Sequence, residues 1–275
     1  MIYSSEQLKK LQKVEVEIVS EVIRICNKFN LDYFTVGGTT LGAIRHNGFI
    51  PWDDDIDIGL IRTDYDKFIK VAPNELRKEF VLQHYETEKA TPTYHAKVMK
   101  KGTIFLEGYA RNIDIEHGIF VDIMPFDKVP DDELLLSKYR KKVKLWHQLF
   151  IAKSTCKTSI TNGKKKYIYT FIRTLLHIVS LPVSKEKIYR KLQSEITKFD
   201  NYETDYLSSR GLAVFECNKK DLFPTVDHTF ETIVVKIPNN ADLILKKQYG
   251  DYMKLPPEDK RIGHAPYKLD VGEEE

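Results

Sequence analysis

The chain has only three cysteines in 275 residues, Cys26, Cys156 and Cys217. So few, odd in number and far apart, they argue against a disulfide framework and a cysteine-ligated zinc site, and a reducing cytoplasm is the expected location. The opening residues, Met1 to Lys10, lack the apolar run and small-residue cleavage site of a secretory leader. No stretch is long and apolar enough to cross a bilayer. Excess charge is missing as well, since 43 Lys and Arg stand against 40 Asp and Glu, a formal +3. That balance gives no reason to expect nucleic acid as a partner and makes any basic site local. Internal repeats and low-complexity tracts are absent. With 42% hydrophobic residues the chain can bury a substantial core, which fits one elaborated domain or two closely joined ones.

Acids are dense at one place. Between Gly37-Gly38 and Ile58 lie Asp53, Asp54, Asp55 and Asp57, four carboxylates in five positions. Such a cluster repels itself unless a cation joins it. With Ile56 and Ile58 on the buried face of a strand, the period of two sets Asp55 and Asp57 together on the other face, with Asp53 at its entrance. Two carboxylates so placed outline a divalent-metal site. The bland alternative is an acidic surface turn after the Pro51-Trp52 corner; the alternating Asp-Ile-Asp-Ile pattern downstream of the glycines favours metal. Asp54, out of phase with Asp55, is the weaker candidate, suited to capping the turn or orienting its neighbours.

Periodicity supplies the frame. Leu8, Leu11, Val14, Ile18, Val22, Ile25 and Phe29 recur at helical spacing, predicting an amphipathic helix from about Ser5 to Phe29 that opens on a capping box of Ser4 and Gln7. A short strand over 32–36 runs into Gly37-Gly38, and a helix from Thr39 to His46 follows, whose free N–H groups could cradle a phosphate. Thr63 to Asp66 is expected to cap another helix that ends before Pro73. Strands are expected over 80–85, 95–100, 104–106 and 119–125, and helices over 132–151 and 185–199. The order is mixed α/β (α+β): a catalytic core over 1–130 and a mainly helical portion over 131–275 whose C-terminal segment returns to the core. Within Ile119-Phe120-Val121-Asp122-Ile123, Asp122 is a lone acid among β-branched and aromatic residues, so it faces a cleft or needs a buried partner.

The run Gly-Gly-Thr-x-Leu-Gly-Ala-x-Arg-His-x-Gly-Phe-Ile-Pro-Trp-Asp-Asp-Asp-Ile-Asp-Ile, residues 37–58, resembles the signature of the LicD family, whose relatives include the fukutin-type proteins. The likeness continues through Arg62 to Tyr65, Phe120 to Pro125 and Tyr249 to Pro257, and departs at Thr40, where leucine is expected. The resemblance implies a nucleotidyltransferase-like fold, a mixed sheet flanked by helices. It also implies transfer of a phosphorylated alcohol, best known as phosphocholine from CDP-choline, onto a cell-surface glycan such as teichoic acid, lipooligosaccharide or a capsule precursor. Glycerol phosphate and ribitol phosphate are alternative cargoes, and a non-catalytic nucleotide- or glycan-binding module is a further alternative.

In that fold the glycine turn, an Asp-x-Asp strand and a third acid form one metal site, so Asp55, Asp57 and Asp122 fill the places, with Asp53 as an added ligand. Two Mg²⁺ ions (Mn²⁺ being the alternative) about 3.5–4 Å apart would bridge the donor diphosphate. Asp122 is either a ligand or the general base. Gly37, Gly38 and Thr39 are candidates to bind phosphate, with Arg45 the first choice of cation and His46, Trp52, Lys97, Lys100 and Arg111 further candidates. Arg261 and His264 look like the family's C-terminal pair, either closing over the site or anchoring the tail. A choline headgroup would need an aromatic cage, for which Trp52, Tyr85, Tyr94, Phe105, Tyr109, Phe120 and Phe126 are available.

One segment has two readings. Lys164-Lys165-Lys166 precedes a strongly apolar stretch, Tyr167 to Val179, interrupted by Arg173 and His177. It is either a monotopic helix resting on the inner membrane leaflet or a buried core helix after a solvated lysine loop. Short apolar helices are more often core, and that is the expectation.

Overall fold

The computed structural model describes residues 4–156 and 164–272, and the side chains of Lys164 to Lys166 are not among those described. The solvated lysine loop expected there therefore lies outside the described residues. Helices are α1 (Ser5–Phe29), α2 (Gly37–His46), α3 (Arg62–Glu75), α4 (Glu133–Ser154), α5 (Lys164–Ser180), α6 (Lys185–Ile196), α7 (Lys219–Leu222) and α8 (Ala241–Tyr249). Strands are β1 (Tyr33–Thr35), β2 (Asp57–Ile61), β3 (Phe80–Gln83), β4 (Ala96–Lys100), β5 (Ile104–Leu106), β6 (Ile119–Lys128), β7 (Tyr206–Ser208), β8 (Glu216–Asn218), β9 (Val226–Phe230), β10 (Ile233–Ile237) and β11 (Lys268–Asp270). The fold is mixed α+β. Past α6 the chain makes five short strands, so its second half is not helical throughout.

The main sheet runs β1-β2-β6-β4-β3, extended by β7 and β8 beyond the end of β6. Only β2 and β6 are parallel, and their register sets Asp57 opposite Asp122; antiparallel β4 sets Lys97 opposite Asp122 from the other side. The sheet thus delivers two acids and a lysine to one line across three strands.

Helix α1 covers one face. Leu11, Ile18, Val22 and Ile25 are fully buried against Ile58, Leu60, Val98, Val121 and Ile123, each side chain contributing about 1.5–3 kcal/mol of hydrophobic burial. Its capping box forms as expected, Gln7 N donating to Ser4 Oγ at 3.1 Å and Ser4 N to Gln7 Oε1 at 3.0 Å. Asn30 ends it in the left-handed region, φ 52°. Helices α4 and α6 build a second core around Tyr85, Tyr94, Tyr139, Tyr189, Phe150 and Phe199. Thr40, the departure from the family pattern, is buried with its hydroxyl satisfied by Thr35 Oγ1 at 2.9 Å.

Three expectations are corrected. Helix α3 has no side-chain cap: it starts at Arg62, and Asp64 instead accepts a hydrogen bond from Asp32 N at 3.1 Å. It also continues past Pro73 to Glu75, because a proline in the last turn removes only one bond near an end that frays anyway. Helix α5 is not a core helix, since Tyr167, Phe171, Leu175 and Ile178 are all exposed.

One buried ion pair ties α3 to the sheet. Arg62 Nε and a terminal nitrogen donate to the two carboxylate oxygens of Asp127 at 2.6 and 3.0 Å, and Asp127 is wholly buried. Asp127→Ala should therefore cost about 3–5 kcal/mol, because it strands a buried guanidinium. The double change Arg62→Met with Asp127→Leu should recover most of that loss. Urea unfolding followed by circular dichroism measures both, and a single variant within about 1 kcal/mol of the parent would contradict the pair's importance.

Candidate active site

The glycine turn sets the geometry. Gly37, at φ 55°, occupies the left-handed region that glycine enters without cost and turns the chain from β1 into α2. A β-carbon on Gly38 would come within 2.7 Å of Asp53 Oδ2, so glycine lets that carboxylate approach the helix start. Thr39 holds the strand rather than reaching outward: its Oγ1 accepts from Asp57 N at 2.9 Å, while Val36 N donates to Asp57 O at 3.0 Å. Helix α2 has no side-chain cap, so its opening N–H groups face the cleft without a competing side-chain acceptor.

Ile56 and Ile58 are buried, and Asp55 and Asp57 alternate with them on the cleft side. Asp53, Asp55, Asp57 and Asp122 lie close enough to disturb one another's protonation. Burial and the charges of Asp53 and Asp122 raise Asp55 to about 7. Burial, then Asp55 and Asp122, raise Asp57 well above the carboxylate range. Asp53 is raised too, chiefly by burial. Asp122 goes the other way: burial opposes its ionisation, but His95, Lys97 and Arg210 outweigh burial and hold it below the usual range.

A fifth acid was not anticipated. Glu15 of α1 is 1% exposed and is raised by burial and then by Asp55, Asp53, Asp57 and Asp122. Glu15 Oε2 and Asp57 Oδ1 are buried without a hydrogen-bond partner among the described residues, whereas Asp122 Oδ1 faces His95 Nε2 at 3.1 Å. Its sequence signal was available, for Glu15 stands in the apolar stripe of α1, four residues after Leu11 and three before Ile18. Stranded carboxylate oxygens, all hard donors, fit Mg²⁺ or Mn²⁺. Donor atoms of Asp53, Asp54, Asp55 and His264 also lie within 4.8 Å of one another, a second arrangement that could hold a metal.

Within that second group Asp54 already has partners. It is 1% exposed and accepts from His264 N at 2.8 and 3.0 Å, from Ala265 N at 3.2 Å and from His264 Nδ1 at 3.0 Å. His264 Nδ1 also lies 3.5 Å from Asp55 Oδ2. The Asp54 hydrogen bond, despite burial that opposes it and with help from Asp55 and Asp53, raises the imidazole to about 10. Asp54 thus anchors the C-terminal segment beside Asp55. Arg261 lies against Trp52, 5.5 Å from its ring, and donates to Pro256 O at 2.9 Å.

The first-choice cation, Arg45, is not the one near the acids. Arg45 lies in the last turn of α2, far from the glycines, and donates to Tyr252 O at 2.5 Å and to His46 Nε2 at 2.9 Å. Arg45 and His46 are therefore not brought to the acids. Lys97 is: buried, it donates to Glu107 at 2.9 Å, lies 3.9 Å from Asp122 Oδ1 and rests 3.3 Å from the Phe120 ring centroid. Lys100 pairs with Glu17 at 2.5 Å, and exposed Arg111 lies over Tyr267. Two further groups complete the acid site, the Arg210 cation and His95, whose imidazole burial holds towards its neutral form. His95 Nε2 is 3.1 Å from Asp122 Oδ1, and Arg210 donates to His95 Nδ1 at 3.0 Å. Arg210 sits at φ 54°, a left-handed position that costs a non-glycine residue about 1–2 kcal/mol; nothing in its local sequence marks it.

Most of the aromatics expected to form a cage are core. Tyr85, Tyr94, Phe105, Phe120 and Phe126 are buried. Beside Gly37, a β-carbon would meet the Tyr249 hydroxyl at 3.4 Å and the Phe215 ring at 3.7 Å.

Residues 30–150 match the domain described as LicD/FKTN/FKRP, nucleotidyltransferase domain. Over 94% of the chain and 95% of the relative, it is 29% identical to the lipopolysaccharide cholinephosphotransferase LicD of Haemophilus influenzae. It is 27% identical over 110 residues to the ribitol 5-phosphate transferase FKRP of Mus musculus, covering 40% of this chain and 20% of that one. An uncharacterized protein of Rickettsia prowazekii is 29% identical over 130 residues, 45% of each chain.

The stranded acids have a measurable consequence. Glu15, Asp55 and Asp57 titrate higher folded than unfolded, so the folded state holds more protons. Their stabilising effect is full below the ordinary carboxylate pKa of about 4 and is lost as pH rises through about 7, where Asp55 titrates. Chelator-treated protein should melt at a lower temperature at pH 8 than at pH 5, and Glu15→Gln should raise the pH 8 melting temperature by more than the pH 5 one. An equal effect at both pH values would remove Glu15 from the cluster.

Proposed function

Because the chain belongs to the LicD family, we propose that it is a metal-dependent phosphotransferase that moves phosphocholine from CDP-choline to a hydroxyl of a cell-surface glycan and releases CMP. The observation that carries this reading is the convergence of Glu15, Asp53, Asp55, Asp57 and Asp122 beside the open start of a glycine-led helix. Asp55, Asp57 and Asp122 would hold the metal, with Asp53 and Glu15 beside them. Mg²⁺ or Mn²⁺ there supplies Lewis acidity, neutralising charge on the diphosphate.

The chain's own groups divide the remaining work. The first N–H groups of α2 and the Arg210 guanidinium are suited to hold the phosphates. In the transfer, the acceptor oxygen forms a bond to the phosphorus of phosphocholine, the bond from that phosphorus to the CMP oxygen breaks with its electron pair staying on CMP, and the acceptor proton is taken up by the departing CMP phosphate. Asp122 is kept ionised by His95 and Lys97, so its low proton affinity fits holding charge rather than taking up that proton. His264, latched by Asp54, would keep the tail over the cleft and water out of it.

A second donor is favoured by one specific likeness, that to the mouse ribitol 5-phosphate transferase. In that reading the site and chemistry stay the same and CDP-ribitol replaces CDP-choline. CDP-glycerol is the third alcohol in the same series.

Calorimetric titration with CDP-choline, CDP-ribitol, CDP-glycerol and CMP, each with and without Mg²⁺, tests the reading. Selective Mg²⁺-dependent binding of CDP-choline is expected. Preference for another CDP-alcohol would move the substrate, and absence of all nucleotide binding would overturn the proposal in favour of a non-catalytic module. Asp55→Asn and Asp57→Asn should each lower transfer by at least about 10³-fold with unchanged or raised melting temperature. Arg210→Met should lower kcat by about 10²-fold, whereas Arg45→Ala should cost thermal stability and leave donor affinity near that of the parent. Near-parental turnover by either aspartate variant would remove the metal assignment.

A further inference from the structure

Helix α5 is turned inside out relative to an ordinary surface helix. Its polar side chains face the protein: Arg173 donates to Gln148 Oε1 at 2.9 Å, and His177 Nδ1 lies 2.6 Å from Ala152 O. The turn after it is pinned by Lys153, whose Nζ donates to the carbonyls of Ser180 and Leu181 at 3.1 and 3.0 Å. The apolar side chains point away. Tyr167 is 76% exposed, Phe171 70% and Ile168 60%, and Leu175, Ile178 and Val179 are all more than half exposed. An apolar face this continuous on a protein surface marks an interaction surface, since each side chain gives up about 1.5–3 kcal/mol by staying in water.

Charge identifies what covers it. Between Glu133 and Ile196 fifteen Lys and Arg stand against three acids, although the whole chain carries 43 against 40. The positive charge is therefore gathered in this stretch while the rest of the chain is net acidic; Lys153 and Arg173 are turned to the protein, but Lys138, Lys141, Lys142, Lys144 and Lys187 are exposed. A second copy of this chain would bring one such cationic cluster against another, an unfavourable arrangement for a closed dimer. An anionic lipid surface satisfies both features, taking the apolar side chains at the headgroup boundary and the Lys and Arg at the phosphates.

We propose that α5, with the turn at Leu181 and Val183, is a membrane-surface anchor that lays its outward face into an anionic leaflet without crossing it. No helix among the described residues is long and apolar enough to span. The placement also has a use. Arg173, on the inner side of α5, neighbours His147, which in turn neighbours Arg210 and His95 beside Asp122. The inner side of a docked α5 is thus linked electrostatically to the acid cluster through His147. The inference does not depend on the identity of the donor.

Flotation of the full chain with two kinds of vesicle tests it: phosphatidylcholine alone, and phosphatidylcholine with an equal amount of phosphatidylglycerol. Partitioning onto the anionic vesicles should exceed that onto the neutral ones by at least about tenfold at low salt and weaken as salt rises. The double variant Phe171→Glu with Ile178→Glu should lose at least about tenfold of that partitioning, and so, at low salt, should Lys164→Glu with Lys165→Glu and Lys166→Glu. Unchanged circular dichroism and melting temperature verify that each variant folds. Absence of vesicle binding by the parent, or equal binding by the Phe171→Glu, Ile178→Glu variant, would overturn the proposal. So would a stable dimer in light scattering that this variant dissolves, since the face would then belong to a second copy.

Discussion

Parallel pairing of β2 with β6 sets Asp57 opposite Asp122, and this enforced meeting of two acids is the constraint around which the rest of the site is arranged. The register cannot slip by one residue without exposing Ile58 and Ile123, both fully buried. The acids therefore stay together because the hydrophobic core holds them there, whatever their mutual repulsion. A fold that uses apolar burial to hold like charges in contact stores a preference for whatever cation relieves them.

The surroundings respond to that stored repulsion in two different ways. On the β4 side Asp122 is neutralised within the protein by His95, Lys97 and Arg210 and remains ionised. On the β2 side Asp55 and Asp57, with Glu15 behind them, have too few cationic partners and are pushed towards the protonated state. Asp54 has partners of its own: its carboxylate is taken up by the backbone and imidazole of the C-terminal segment. The result is a fixed anion on β6 beside protonatable acids at the start of β2, with the tail tied down at Asp54.

Much of this was legible in the sequence where local periodicity decides structure. The Ser5–Phe29 helix and its Ser4–Gln7 box follow from a strict apolar stripe and adjacent capping residues, and the strand-borne acids follow from alternation with isoleucine. Contacts between distant segments were not legible. Glu15 gave a local signal, a charge in an apolar stripe, but its meaning depends on which strand α1 covers. Arg210 depends on a left-handed loop residue 115 positions from its partner His95. Arg45 seemed well placed by its nearness in sequence to the acids, yet a helix of ten residues carries it to the far end, beside Tyr252. Helix α5 misled for a simpler reason: composition reports that a segment is apolar but not which side of it meets the protein.

The central claim is that the acid cluster is poised for a divalent cation. It is tested most directly by calorimetric titration of Mg²⁺ into chelator-treated protein at pH 7, repeated in buffers of different ionisation enthalpy and with Asp57→Asn. Saturable binding accompanied by proton release is expected, because Asp55, raised to about 7, and Asp57, raised well above the carboxylate range, must give up protons to bind the ion, and Asp57→Asn should abolish it. Absence of binding, or binding without proton release that Asp57→Asn leaves unchanged, would contradict it.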